Sequence, residues 1–127
     1  MRRIPKPTDS ELSILRILWE EGPCEVKVVA ERLSAEKKKL VGYTTALKLL
    51  QLMHEKGLVL RDESSRSHKY AAKHKRTDIQ QNVLRAIADR AFGGDILEMA
   101  MRAVSSTPAS PQELAEIEAL INKLKTK

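Results

Sequence analysis

Residues 42–56, GYTTALKLLQLMHEK, decide how the rest of the chain is read. At 3.6 residues per turn, Ala46, Leu49, Leu50 and Met53 line one side of a helix, while Thr44, Lys48, Gln51 and Glu55 line the other. The outer side is slender and polar, with hydroxyls and a lysine near its start. Hydroxyls and short polar groups reach base edges in a major groove, and a cation meets phosphate. An ordinary surface helix carries the same stripe, so its neighbours settle the matter.

Behind it, Gly57 ends the helix, and LVLRD, ESSR and SHKYAA read as two strands joined by a tight turn around Ser64 to Arg66. This hairpin carries Arg61, Arg66, His68 and Lys69. In front, a helix starts at Thr8, where Thr8 and Glu11 form a T-x-x-E capping box, and it stops at Gly22-Pro23. Leu12, Leu15, Ile17, Leu18 and Trp19 form its apolar side, with Trp19 expected in the core rather than as a platform for a base. A short helix from about Glu25 to Leu33 follows, with Val26, Val29, Ala30 and Leu33 on one face. Ser34 to Val41 is expected to be a polar connection whose Lys37, Lys38 and Lys39 stand where they could meet phosphate. Three helices followed by a hairpin make a winged helix-turn-helix, in which the third helix enters the major groove and the wing flanks it.

After a basic linker, KHKR at 73–76, the character changes. Thr77 to Gln80 spell a second capping box, and Val83, Leu84, Ile87, Ala88 and Ala91 form a stripe running to Phe92, where Gly93-Gly94 breaks it. Asp95 caps a helix with Ile96, Leu97, Ala100, Met101 and Val104 on one side. Beyond SSTPASP, Ser110, Pro111 and Glu113 start a last helix carrying Leu114, Ile117, Leu120, Ile121 and Leu124. Three short helices cannot bury so many apolar residues alone, and a second copy of the chain would cover them. The expected pairing residues are Val83, Leu84, Ile87, Phe92, Leu97, Met101, Leu114, Ile117, Leu120 and Ile121. The other solution is a monomer in which these helices fold back on the winged helix. The expected architecture is thus mainly α, with a winged-helix domain over 1–76 and a three-helix dimerisation domain over 77–127.

Charge divides the same way. Residues 1–76 carry 17 Lys and Arg against 10 Asp and Glu, while residues 77–127 carry 6 against 7. A basic front half points to a polyanion, with nucleic acid first and an acidic membrane surface second, and the winged helix narrows the nucleic acid to double-stranded DNA. The membrane is the weaker partner, since no basic amphipathic helix presents Trp or Phe. No apolar run approaches the roughly 20 residues that cross a bilayer, and MRRIPKPTD lacks the apolar centre of a signal peptide. A single cysteine, Cys24, cannot form an internal disulfide, so a cytoplasmic location is expected. Cys24 and the histidines His54, His68 and His74 show no metal-ligand spacing, and no cofactor is expected. Cys24 near a helix start would suit either a redox-sensitive thiol or a small buried side chain. No phosphate-cradling loop or convergent acid–base pair suggests an enzyme.

The helix TDSELSILRILWEEGPC, the segment YTTALKLLQLMHEKGLVLRD with its wing SSRSHKY, and AFGGDI occur in an order and spacing that covers nearly the whole chain. In these features the chain resembles the penicillinase and methicillin-resistance repressor family (BlaI/MecI), dimeric winged-helix repressors that read palindromic operators. The resemblance implies a DNA-reading face at Tyr43, Thr44, Thr45 and Lys48, with the wing contacts around Arg66 to Lys69. Many members carry arginine or a similar polar group where this chain has Leu52, and glycine where it has Ser65. In the antibiotic-resistance members a sensor protease triggers cleavage of an Asn-Phe bond, and the matching pair here is Arg102-Ala103. Copper-responsive relatives carry C-terminal cysteines, and this chain has none after Cys24. Neither release mechanism therefore transfers from the resemblance, and the inducer stays open. The rival from another class is a winged helix used as an interaction module for an acidic protein.

Overall fold

The computed structural model describes residues 3–126. The chain divides into two compact units, Met1–Asn82 and Val83–Lys127. The first is a winged helix. Its elements are α1 (Asp9–Glu21), β1 (Cys24–Glu25), α2 (Val26–Lys37), α3 (Tyr43–Lys56), β2 (Val59–Asp62) and β3 (Lys69–Ala72).

Each helix end follows from local chemistry. Thr8 Oγ1 accepts the Glu11 N–H at 3.2 Å while Glu11 Oε1 accepts the Thr8 N–H at 2.9 Å, so α1 starts with the expected reciprocal cap. Gly57 closes α3 at φ 86°, a left-handed conformation that costs glycine nothing. The α2 helix is longer than expected, because Ser34, Ala35, Glu36 and Lys37 continue it rather than forming a connection. Ala, Glu and Lys are good helix formers, and only Lys38, at φ 55°, turns the chain away.

The sheet also exceeds expectation. Its antiparallel order is β1-β3-β2, with Cys24 opposite Tyr70 and Val59 opposite Ala72. A two-residue strand just behind Gly22-Pro23 is too short for an alternating pattern to announce it. It places the hairpin against the entry to α2, so the wing is anchored on both sides of β3.

The core takes Ile14, Leu15, Ile17 and Leu18 from α1, Val26, Val29 and Leu33 from α2, Ala46, Leu50 and Met53 from α3, and Leu58, Val59 and Tyr70 from the hairpin. α2 packs on α1 and α3, while α1 also packs on β3. Arg16 pairs with Glu36, and Arg32 with Glu20 and Glu21, joining α1 to α2 across an exposed seam. Such exposed pairs contribute little, and the apolar interior holds the unit together.

Leading out of this unit, α4 (Arg76–Ala91) begins one residue before Thr77, and the Lys75 carbonyl accepts the Ile79 N–H at 3.2 Å. The Thr77–Gln80 capping box is therefore not what starts it. In the second unit, α5 (Ile96–Ser106) is capped by Asp95, whose Oδ1 accepts the Glu98 N–H at 3.0 Å. α6 (Pro111–Lys125) carries the predicted box between Ser110 and Glu113 with Pro111 at its first turn. Among the described residues neither α5 nor α6 has a buried side chain.

Candidate nucleic-acid interface

α3 divides as its sequence predicts. Ala46, Leu50 and Met53 are buried, while Tyr43, Thr44, Thr45, Lys48 and Gln51 are exposed. Leu49 is half-buried at the edge of the stripe. Because Gly42 is the N-cap and its carbonyl accepts the Ala46 N–H, Tyr43, Thr44 and Thr45 occupy the first turn. A first turn adds its free N–H groups and the positive end of the helix dipole to whatever its side chains present.

The loop into α3 is fixed by one side chain. Ser34 Oγ accepts the Val41 N–H at 2.8 Å and donates to the Ala30 carbonyl at 2.8 Å. The Lys39 N–H returns to the Ser34 carbonyl at 3.3 Å. Lys37, Lys38 and Lys39 are all exposed around this tether, Lys37 in the last turn of α2 and the other two beyond it.

On the wing, Ser64 N–H donates to Asp62 Oδ1 at 2.9 Å and Ser65 Oγ donates to the Ser67 carbonyl at 2.8 Å. These bonds shape the turn of the wing around Ser65. Ser64 is the main cause that holds the Asp62 carboxyl below its ordinary range. Arg61 pairs with Glu63 at 2.8 Å, so this cation and both wing acids are engaged within the hairpin. Arg66 and Lys69 remain exposed and His68 is half-buried. Among the described residues, no ion pair involves Lys37, Lys38, Lys39, Lys48, Arg66 or Lys69. A set of cations without carboxylate partners around one helix is free to neutralise an external polyanion.

An open cleft of about 330 Å³ separates the start of α3 from the wing, with Tyr43, Leu47, Arg66 and His68 facing Lys27 and Glu25. Lys27 was not apparent from sequence, because only the sheet brings the start of α2 beside the wing.

A second feature without a sequence signal supports α3 from behind. Glu11 is 4% exposed, and its Oε1 accepts from Lys56 Nζ at 2.6 Å, while Lys56 also donates to the Lys6 carbonyl at 3.2 Å. Burial opposes ionisation of Glu11, but the Lys56 ammonium and the Thr8 donors outweigh it and hold its carboxyl below the ordinary value. The last turn of α3 is thereby tied to the first turn of α1, 45 residues away in sequence. His74 Nε2 lies 2.9 Å from the Gly57 carbonyl and ties the segment that follows β3 to the same end of α3.

Cys24 is buried, and burial followed by the Glu21 charge pushes its thiol up, which is the reverse of an activated thiolate. Trp19 is half-buried with its Nε1 shut off from water and without a hydrogen-bond partner among the described residues. Among those residues no group of three His, Cys, Asp or Glu could hold a metal ion, and no helix is long and apolar enough to cross a membrane. Arg102 and Ala103 lie exposed inside α5. The expected pairing residues Leu84, Ile87, Leu97, Met101, Leu114, Leu120 and Ile121 are exposed, with Leu97 at 71% and Met101 at 67%; Val83, Phe92 and Ile117 are half-buried.

Comparison with known proteins gives a consistent picture. The model of the family described as penicillinase repressor matches residues 7–123. Curated relatives from two Mycobacterium tuberculosis strains, CDC 1551 / Oshkosh and ATCC 25618 / H37Rv, are each described as transcriptional regulator BlaI. They are 34% identical over 80 residues, 62% of this chain and 56% of theirs. The match thus spans just over half the length of these relatives. Among solved structures, the monomeric form of Bacillus licheniformis BlaI in complex with the blaP half-operator has a TM-score of 0.50 at 23% identity. It covers 61% of this chain and 93% of that one. The RosR structure from H. salinarum has a TM-score of 0.56 at 19% identity, covering 82% and 96%. At these identities the structural likeness speaks for the fold.

Proposed function

The chain belongs to the penicillinase repressor family, and on that premise we propose that it is a homodimeric, sequence-specific transcriptional repressor that occupies palindromic operator DNA. In this proposal residues 1–76 bind DNA and residues 77–127 pair two copies. α3 of each subunit enters a major groove, with Thr44, Thr45 and Gln51 toward base edges and Tyr43 at the groove entrance. Lys48, the Lys37–Lys39 cluster, Arg66, His68 and Lys69 meet the backbone. The observation that carries the proposal is the exposed first turn of α3, flanked by cations with no ion-pair partner among the described residues. The name of the BlaI relative solved on a half-operator supports it, since a half-operator is what one subunit of a two-fold dimer would cover. The apolar faces left open on α5 and α6 support pairing. Repression would follow from occupying promoter DNA, without catalysis or a cofactor.

The test uses DNA fragments selected by the protein from genomic DNA. Thr44→Ala or Thr45→Ala is expected to relax preference at particular base pairs by about 1 kcal/mol or more. Lys48→Ala should weaken binding to every sequence and reduce the slope of log affinity against log salt by about one. If all three variants keep wild-type footprints, affinities and salt slopes, α3 is not the reading element.

A further inference from the structure

The exposed apolar side chains of the first unit are unevenly placed. Among the described residues of this unit four large hydrophobic ones are exposed, Leu40, Tyr43, Leu52 and Leu60, and three of them lie on α3 or the loop leading into it. Leu40 is the extreme case at 91% exposed, more than any exposed large hydrophobic residue of α5 and α6. It is not on a frayed segment. The Ser34 tether closes the loop on either side, through the Val41 N–H and the Lys39 N–H, so the leucine is held out in water by a fixed backbone.

Phosphate and sugar-edge recognition by the neighbouring lysines has no use for a leucine, and an apolar group on a DNA-facing surface has one specific counterpart among base edges. That counterpart is the 5-methyl of thymine, which projects into the major groove and is read by apolar contact. Position allows it. Leu40 and Tyr43 are three positions apart, with Val41 and Gly42 between them, a span of at most about 10 Å, which corresponds to roughly three base-pair steps at about 3.4 Å each. That span leaves Leu40 close enough to meet bases next to those that the proposed docking sets against the first turn of α3. We propose that Leu40 is a specificity-determining residue that reads a thymine methyl beside the base pairs facing Thr44 and Thr45. The inference rests on the DNA binding proposed above and assigns a contact that neither polar spacing nor charge would single out.

The experiment replaces each thymine of a selected DNA fragment in turn by deoxyuridine, which removes only the methyl group, and measures affinity by fluorescence anisotropy for the full wild-type chain and for Leu40→Ala. One deoxyuridine position per half-site is expected to weaken wild-type binding by about three- to tenfold. Leu40→Ala should show a similar loss on the thymine fragment and no further loss at that position. Because Leu40 touches no core, its variant should melt like the wild type, which separates a lost contact from a lost fold. Wild-type affinity for Leu40→Ala overturns the inference, as does a loss that multiplies with every deoxyuridine change, which would place the leucine against sugar or backbone. Failure of the wild type to select or bind any DNA would instead overturn the function proposed above.

Discussion

The two units use the same material and end in opposite states. In Met1–Asn82 the stripes of α1, α2 and α3 close on one another and on the hairpin, leaving Ile14, Leu33, Leu50 and Met53 no more than 1% exposed. In Val83–Lys127 equally regular stripes stay open, and Ala88 is the single buried residue among those described. The first unit completes its interior from its own chain. The second leaves its apolar faces uncovered among the described residues, and on that ground pairing is proposed there and DNA reading in the first. A regular stripe says that a face must be covered; only its surroundings say by what.

The largest expected effect probes the open faces. Leu97→Glu combined with Leu120→Glu should yield monomers by light scattering and lower affinity for two-half-site DNA by about 10²- to 10⁴-fold, the avidity lost when two sites no longer act together. An unchanged mass would remove the contrast between the units. Next, Leu50→Ala should lower the unfolding free energy of the first unit by about 2–5 kcal/mol in chemical denaturation. That loss should not depend on protein concentration, whereas stability of a paired second unit should rise with it.

A smaller effect concerns the support of α3 from behind. Glu11→Gln keeps a side chain that can cap the helix but removes the charge facing Lys56, and should cost about 1 kcal/mol near neutral pH, since Lys56 keeps contact with water. The Glu11 carboxyl is held below its ordinary value in the folded state, so its contribution is full above that value and fades as the pH falls through the lowered one. The difference between wild type and Glu11→Gln in thermal melts should therefore shrink in acid. A difference that grows in acid would mean that the carboxylate is not stabilised by Lys56.

Much of this was legible from the chain because it is written locally. The caps at Thr8, Asp95 and Ser110, the stop at Gly57, and the buried set Val26, Val29, Ala30 and Leu33 all depend on residues within a turn or two. The division of α3 into Ala46, Leu50 and Met53 against Thr44, Lys48 and Gln51 follows from the same periodicity. What escaped is long-range or very short. Glu11 and Lys56 are 45 residues apart, and a two-residue strand at Cys24 exists only because Tyr70 and Lys69 lie opposite it. Lys27 joins the candidate interface for that reason. Leu40 escaped because an apolar residue in a lysine-rich loop has no period to belong to, and its exposure is visible only once Ser34 is seen to fix the turn.

In the proposed complex two chains read one DNA duplex through α3, an arrangement with a measurable stoichiometry. It is tested most directly by measuring the mass of the complex on a selected fragment by light scattering, with a hydroxyl-radical footprint of the same complex. Two chains per duplex are expected, with two protected half-sites related by a two-fold axis and their centres one helical turn of about 10–10.5 base pairs or a multiple of it apart. One chain per duplex with a single protected patch, or protection without two-fold symmetry, would contradict it.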